Sequence, residues 1–248
     1  MGKTLLLSFL NTTKGYNDES EKIKLFAIDS DGVILNDTYS PAIKIFVESF
    51  GVSYSPLIER SVWGSPQVTA GHNLALACKL PYSGEKVIKD FFKTREEYLK
   101  KHPVEVLPDI ESTLALLSST GARITCYGGR NKEYSFDRFL KPFEKYFDKE
   151  MPYIDINSFR PGVYEIVKEK FNLNFDEVVF IDDINRVAEV CKALGTGFIG
   201  VPASMAHNYQ REEMVRTGVK YMVNRFTDIT DKLIHEVDEH LASSDLWK

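Results

Sequence analysis

Two hydrophobic runs that each end in aspartates constrain this chain more than any other feature. Ile23 to Ile28 leads into Asp29 and Asp31 in the stretch LFAIDSDGVILND, and Val178 to Ile181 leads into Asp182 and Asp183 in FIDDINRVAEVCKALG. A third run, Ile124 to Tyr127, stops at Gly128 and Gly129. Each lies beside a helical pattern (Ile110 to Ser119, Val163 to Phe171, Arg186 to Leu194), and further strands are expected near Tyr153 to Ile156 and Gly197 to Val201. Strands alternating with helices predict an α/β fold with a parallel sheet. Ligands of such sheets bind beyond the carboxyl ends of the strands, where the aspartates stand.

Between Asp37 and about Leu107 the pattern changes to helix upon helix, with Pro41 to Phe50 and Gly84 to Lys101 as its firmest members. The expected organisation is an N-terminal extension over residues 1–22, a core domain over 23–37 and 107–248, and a small helical domain inserted over 38–106. Asn11 to Lys22 is polar and reads as a linker. The apolar run in MGKTLLLSFLN is too brief for a signal peptide, and Leu6 stands where a myristoylation motif needs Ser or Thr. No run approaches the length of a membrane span.

A net charge of -5 and a pI near 5.6 leave no basic face to track phosphates, so nucleic acid is a poor candidate partner. Cys78, Cys126 and Cys191 are far apart among apolar residues, which argues against zinc or a redox dithiol. They fit small core residues in a reducing, cytoplasmic setting. A monomer or homodimer is expected.

Strand alternation puts Asp29 and Asp31 on one side, as a cation site and as a source of oxygen nucleophiles or bases. Gly32 lets the chain turn away without blocking the pocket. Asp29 and Ser30 could instead cap a turn, and Asp182 or Asp183 a helix. The recurrence of an acidic pair after a second strand favours a shared hard cation over capping. Mg2+, which takes oxygen ligands, is the expected choice, held by Asp29, Asp31, Asp182 and Asp183.

With DSDG first and IDD last, the chain resembles the haloacid dehalogenase superfamily from about Lys22 to Leu233. The subgroup resembled has an α-helical cap and includes β-phosphoglucomutase and phosphoglycolate phosphatase. The resemblance implies a Rossmann-like core with a cap, a nucleophilic Asp29 that forms an aspartyl-phosphate, and Asp31 as acid and base. An aspartate at position 31 favours phosphoryl transfer over the dehalogenase and phosphonatase branches. The implied activity is Mg2+-dependent hydrolysis of a small phosphorylated metabolite. The alternatives are a phosphomutase or a non-catalytic binding protein; a receiver-type signalling domain fits neither the insert nor the DxDG spacing.

Two departures stand out. The family's second motif ends on Ser or Thr, whereas GARITCYGGRN puts Gly128 there, with Thr125 inside the strand as the fallback in a shifted register. Gly128 and Gly129 can still offer backbone N–H groups to phosphate, but without the hydroxyl weaker binding is expected. Arg160 replaces the family's lysine before Pro161, keeping the charge in a forked geometry. Arg130 is a candidate auxiliary contact, though a loop arginine is more often a solvated residue. Arg60, Trp63, His72 and Asn73 lie in RSVWGSPQVTAGHN, a turn-rich stretch that could overhang the site. Phe91, Phe92 and Tyr98 have helical spacing and read as cap core.

Overall fold

A computed structural model describes residues 22–248; the expected N-terminal extension and linker lie, but for Lys22, outside the described residues. Five strands form one parallel sheet: β1 (Leu25–Asp29), β2 (Arg123–Gly128), β3 (Tyr153–Asp155), β4 (Val178–Asp182) and β5 (Gly197–Gly200), in the order β3-β2-β1-β4-β5. Every residue of β1 and β4 is buried, because helices cover both faces. Leu25, Ala27, Val178 and Phe180 face one apolar cluster, while Phe26, Ile28, Val179 and Ile181 face the other. The strand order reverses between β1 and β4, so both acidic pairs sit at the switch point, where the ends of neighbouring strands open a crevice.

Five helices follow β1 before the chain returns to the sheet, the first four being α1 (Tyr39–Glu48), α2 (Pro56–Val62), α3 (Gln67–Ala77) and α4 (Gly84–Leu99). Ser55 caps α2 by accepting from the Ile58 N–H, and Pro56 occupies the first turn, where its missing N–H costs nothing. The stretch expected to be rich in turns is therefore mostly helical. Gly71 lies within α3, and a Cβ there would collide with the Gly84 carbonyl at the start of α4. The glycine serves close helix crossing rather than a turn.

The remaining helices are α5 (Ile110–Ser119), α6 (Asn185–Leu194), α7 (Gln210–Thr217) and α8 (Asp231–Ala242). The helix expected over Val163 to Phe171 is present over 163–170 and is π-helical across Glu165–Lys170. Cys78, Cys126 and Cys191 are free and buried. Among the described residues no helix is long and apolar enough to cross a membrane.

Glu59, fully buried on α2, ties this helical segment to the core. Its Oε1 accepts from the Tyr209 N–H at 2.9 Å and from Gln210 Nε2 at 2.7 Å, while Oε2 accepts from the Tyr54 hydroxyl at 2.8 Å. Glu59→Ala strands three donors in a region shielded from water. It is expected to lower the unfolding free energy by about 3 kcal/mol, read as a fall in the urea midpoint at unchanged m-value.

Candidate active site

Asp29 closes β1, and Asp31 lies beyond the strand in a tight turn. Gly32 N–H donates to the Leu35 carbonyl, and the Ile34 and Leu35 N–H groups donate to the Ser30 carbonyl. Their shared side is thus the work of this turn rather than of strand alternation. Gly32 adopts φ +94°, and a Cβ there would run into the Asp183 carboxylate. Glycine is required on both counts. Asp29, Asp31, Asp183, Gly129 and Arg160 line one cavity of about 110 Å³, which extends beneath the helical segment.

The carboxylates lack nearby positive charge to match their number. Burial holds the Asp29 carboxyl well above the usual range, and the neighbouring Asp182 adds to this while Arg160 opposes it. Asp183 is likewise raised by burial, then by Asp182 and Asp29. Burial also raises Asp31, against the pull of Arg95 and Arg160. Asp182 is pushed up to about 6 by burial, offset by hydrogen bonds from the Tyr127 hydroxyl and from the Ile184 N–H, 2.7 Å from Oδ1.

These bonds occupy both oxygens of Asp182, one each. Each Asp182 oxygen keeps a second lone pair, so Asp182 stays in the four-carboxylate set expected from sequence, and Asp31 lies within reach of the Ser30 hydroxyl at 3.3 Å. Among the described residues no three of His, Cys, Asp or Glu form a protein-only metal cage. Asp183 Oδ1, however, is buried with no partner, and Oδ2 of the same carboxylate lies directly against Gly32 in the turn that carries Asp31. Mg2+ is commonly held by one or two carboxylates together with substrate phosphate, and the donor pair Asp29 and Asp183 fits that pattern.

Gly128 and Gly129 divide. Gly129 lines the cavity, and a Cβ on it would stand 2.6 Å from Arg160 Nη2, so its bare backbone gives the guanidinium room. Gly128 is outside the cavity wall. A side chain there would meet Ser30 Oγ at 2.6 Å and Tyr153 Oη at 2.7 Å, so the space a Ser or Thr would need is already filled. Tyr153 donates its proton to the Arg130 carbonyl. Thr125 lies inside β2, donating to the Met151 carbonyl, and takes no part.

Arg130 is half-buried. Its guanidinium lies 4.6 Å from the Phe92 ring on α4 and 3.9 Å from the Tyr134 ring. Of the residues in RSVWGSPQVTAGHN, Trp63 lines the cavity, Arg60 pairs with Glu189 and Glu213 at the surface, Asn73 donates to the Ser61 carbonyl, and His72 is exposed on α3. Phe91 and Phe92 pack in the helical segment and also line the cavity, whereas Tyr98 stacks on His102.

Sequence alone does not bring out Tyr127, Arg95 or Asp37. Arg95 on α4 is fully buried, donating to Thr38 Oγ1 and the Tyr134 hydroxyl with its guanidinium 4.1 Å from the Tyr39 ring. Asp37 Oδ1 accepts from the Tyr39 and Ser40 N–H groups, both at 2.9 Å, and so caps α1. Its Oδ2 is buried and unpartnered. The run DT before an apolar helix was the available signal for that cap.

Burial pushes Asp37 up to about 6, from an ordinary 3.8. A folded-state carboxyl raised in this way leaves stability intact below pH 4 and erodes it as pH rises through 6. Asp37→Asn keeps the cap and removes the charge. It is expected to raise stability at pH 8 by up to about 3 kcal/mol, with the advantage gone at pH 4, in urea melts at the two pH values.

No curated protein matches the chain by sequence. Among solved structures, β-phosphoglucomutase from Clostridium difficile superposes with a TM-score of 0.64 at 16% identity, covering 89% of this chain and 99% of that one. A phosphonoacetaldehyde hydrolase-like protein from Oleispira antarctica gives 0.65 at 12%, covering 98% of each. A HAD hydrolase, family IA, variant 3 from Entamoeba histolytica gives 0.63 at 13%, covering 88% of this chain and 100% of that one. These likenesses show the fold. The model of the haloacid dehalogenase-like hydrolases matches residues 27–201, well over half the length, and the chain belongs to that family.

Proposed function

We propose that this protein is a Mg2+-dependent phosphatase that hydrolyses a small phosphorylated metabolite through an aspartyl-phosphate on Asp29. The observation that carries the reading is the convergence of Asp29, Asp31, Asp183 and Arg160 on one cavity at the switch point of the sheet.

In the first step an Asp29 oxygen attacks phosphorus, while Asp31 gives its proton to the departing alkoxide. Burial, which raises the Asp31 carboxyl, favours the protonated form this needs. In the second step Asp31, now ionised, takes a proton from water. The oxygen of that water bonds to phosphorus, releasing phosphate and restoring the Asp29 carboxylate. Arg160 binds the non-bridging oxygens through both steps. Mg2+ held by Asp29 and Asp183 would offset the charge of the phosphoryl group. Asp182 is itself fixed by Tyr127 and Ile184. The helical segment excludes bulk water.

Phosphate release from a panel of monoesters, with Mg2+ and with EDTA, tests the reading. Release that needs the metal is expected. A folded, Mg2+-loaded protein that frees no phosphate from any ester would overturn it.

A further inference from the structure

We infer that the leaving group of the substrate is small and predominantly apolar, seated against Trp63, Leu74, Ile88 and Phe91, with one hydrogen-bond donor reaching Asp37. The inference rests on the phosphatase reading and names the substrate class of that site.

The cavity has two ends of different chemistry. The phosphate end holds Asp29, Asp31, Asp183 and Arg160. The other end, under α1, α3 and α4, is walled by aliphatic and aromatic side chains that belong to the same apolar cluster as the segment's interior. A water centre takes roughly 10–15 Å³ of such space, so the whole cavity of about 110 Å³ holds a phosphoryl group together with a ring or short branched chain.

Polar side chains at the joint of α2 and α3 are already committed. Ser65 Oγ receives Arg186 Nη1 at 2.7 Å and donates to the Ser61 carbonyl at 3.2 Å. Gln67 Nε2 donates to the Gly129 carbonyl at 2.7 Å. A polyhydroxylated sugar placed here would leave hydroxyls facing hydrocarbon, each unpaired group costing roughly tenfold in affinity. Two side chains in this wall are exceptions: Trp63, whose Nε1 is buried without a partner, and Asp37. Asp37 Oδ1 is held by two backbone N–H groups, while Oδ2 is buried without a partner and can accept one donor from a ligand. An apolar body with a single hydroxyl or ammonium group satisfies both the wall and that oxygen.

The test compares benzyl phosphate, 4-(aminomethyl)benzyl phosphate, glucose 6-phosphate and phosphoglycolate as substrates of the Mg2+-loaded protein. Binding of benzylphosphonate and of phosphoglycolate is measured by calorimetry. The benzyl esters are expected to exceed glucose 6-phosphate about a hundredfold in kcat/KM, as several unpaired hydroxyls would require. The aminomethyl group should lower KM further, and Asp37→Asn should erase that gain, since the amide places a donor where Oδ2 stood. Equal or better turnover of glucose 6-phosphate or phosphoglycolate would overturn the inference while leaving the phosphatase reading standing. Benzylphosphonate bound more tightly than phosphoglycolate, with no ester hydrolysed, would uphold the apolar site and overturn the phosphatase reading. If neither benzyl compound binds, the inference fails.

Discussion

Asp29→Asn is expected to reduce phosphate release by about ten-thousand-fold or more, because an amide oxygen cannot serve as the nucleophile. The loss should come without unfolding. Burial and Asp182 oppose ionisation of Asp29, so removing the charge relieves repulsion, and Tm should hold or rise. Loss of turnover at unchanged or higher Tm separates a missing nucleophile from a collapsed site. Residual release within tenfold of wild type would mean that Asp29 does not carry the phosphoryl group.

Arg160→Ala is expected to lower kcat/KM about a thousandfold, since Arg160 is the cation in the cavity wall and charge on the transferring group grows toward the transition state. Arg160→Lys should recover part of this, through charge without the fork. Steady-state kinetics of both variants distinguishes the roles: a change confined to KM would reduce Arg160 to ground-state binding. The guanidinium packs over Gly129. A side chain introduced at Gly129 should therefore mimic the loss of Arg160 in part.

Much of the core was legible because its signals are local. β1 and β4 are buried on both faces and read as hydrophobic runs, and α5 has the bounds its periodicity predicts. The insert was harder. Gly64, Ser65, Pro66 and Gly71 suggest turns, yet Gly71 lies within a helix because another helix crosses closely there. The site divides along the same line. Asp29 and Asp182 end strands and Asp31 and Asp183 come just after them, so their placement was readable. The engagement of Asp182 by Tyr127 was not, because it joins residues 55 positions apart. Nor was the crowding at Gly128, which depends on Tyr153 from the next strand of the sheet. The burial of Arg95 and the free oxygen of Asp37 likewise arise from elements meeting in space.

The central claim is that Asp29 is phosphorylated during turnover, and trapping tests it most directly. The wild-type protein is mixed with excess p-nitrophenyl phosphate and Mg2+, quenched in acid, and its intact mass and peptides are read by mass spectrometry. One phosphoryl group is expected on the peptide that contains Asp29, removed by hydroxylamine as an acyl phosphate must be, and absent from Asp29→Asn. Steady release of phosphate with an unmodified Asp29, or with the phosphoryl group on another residue, would contradict it.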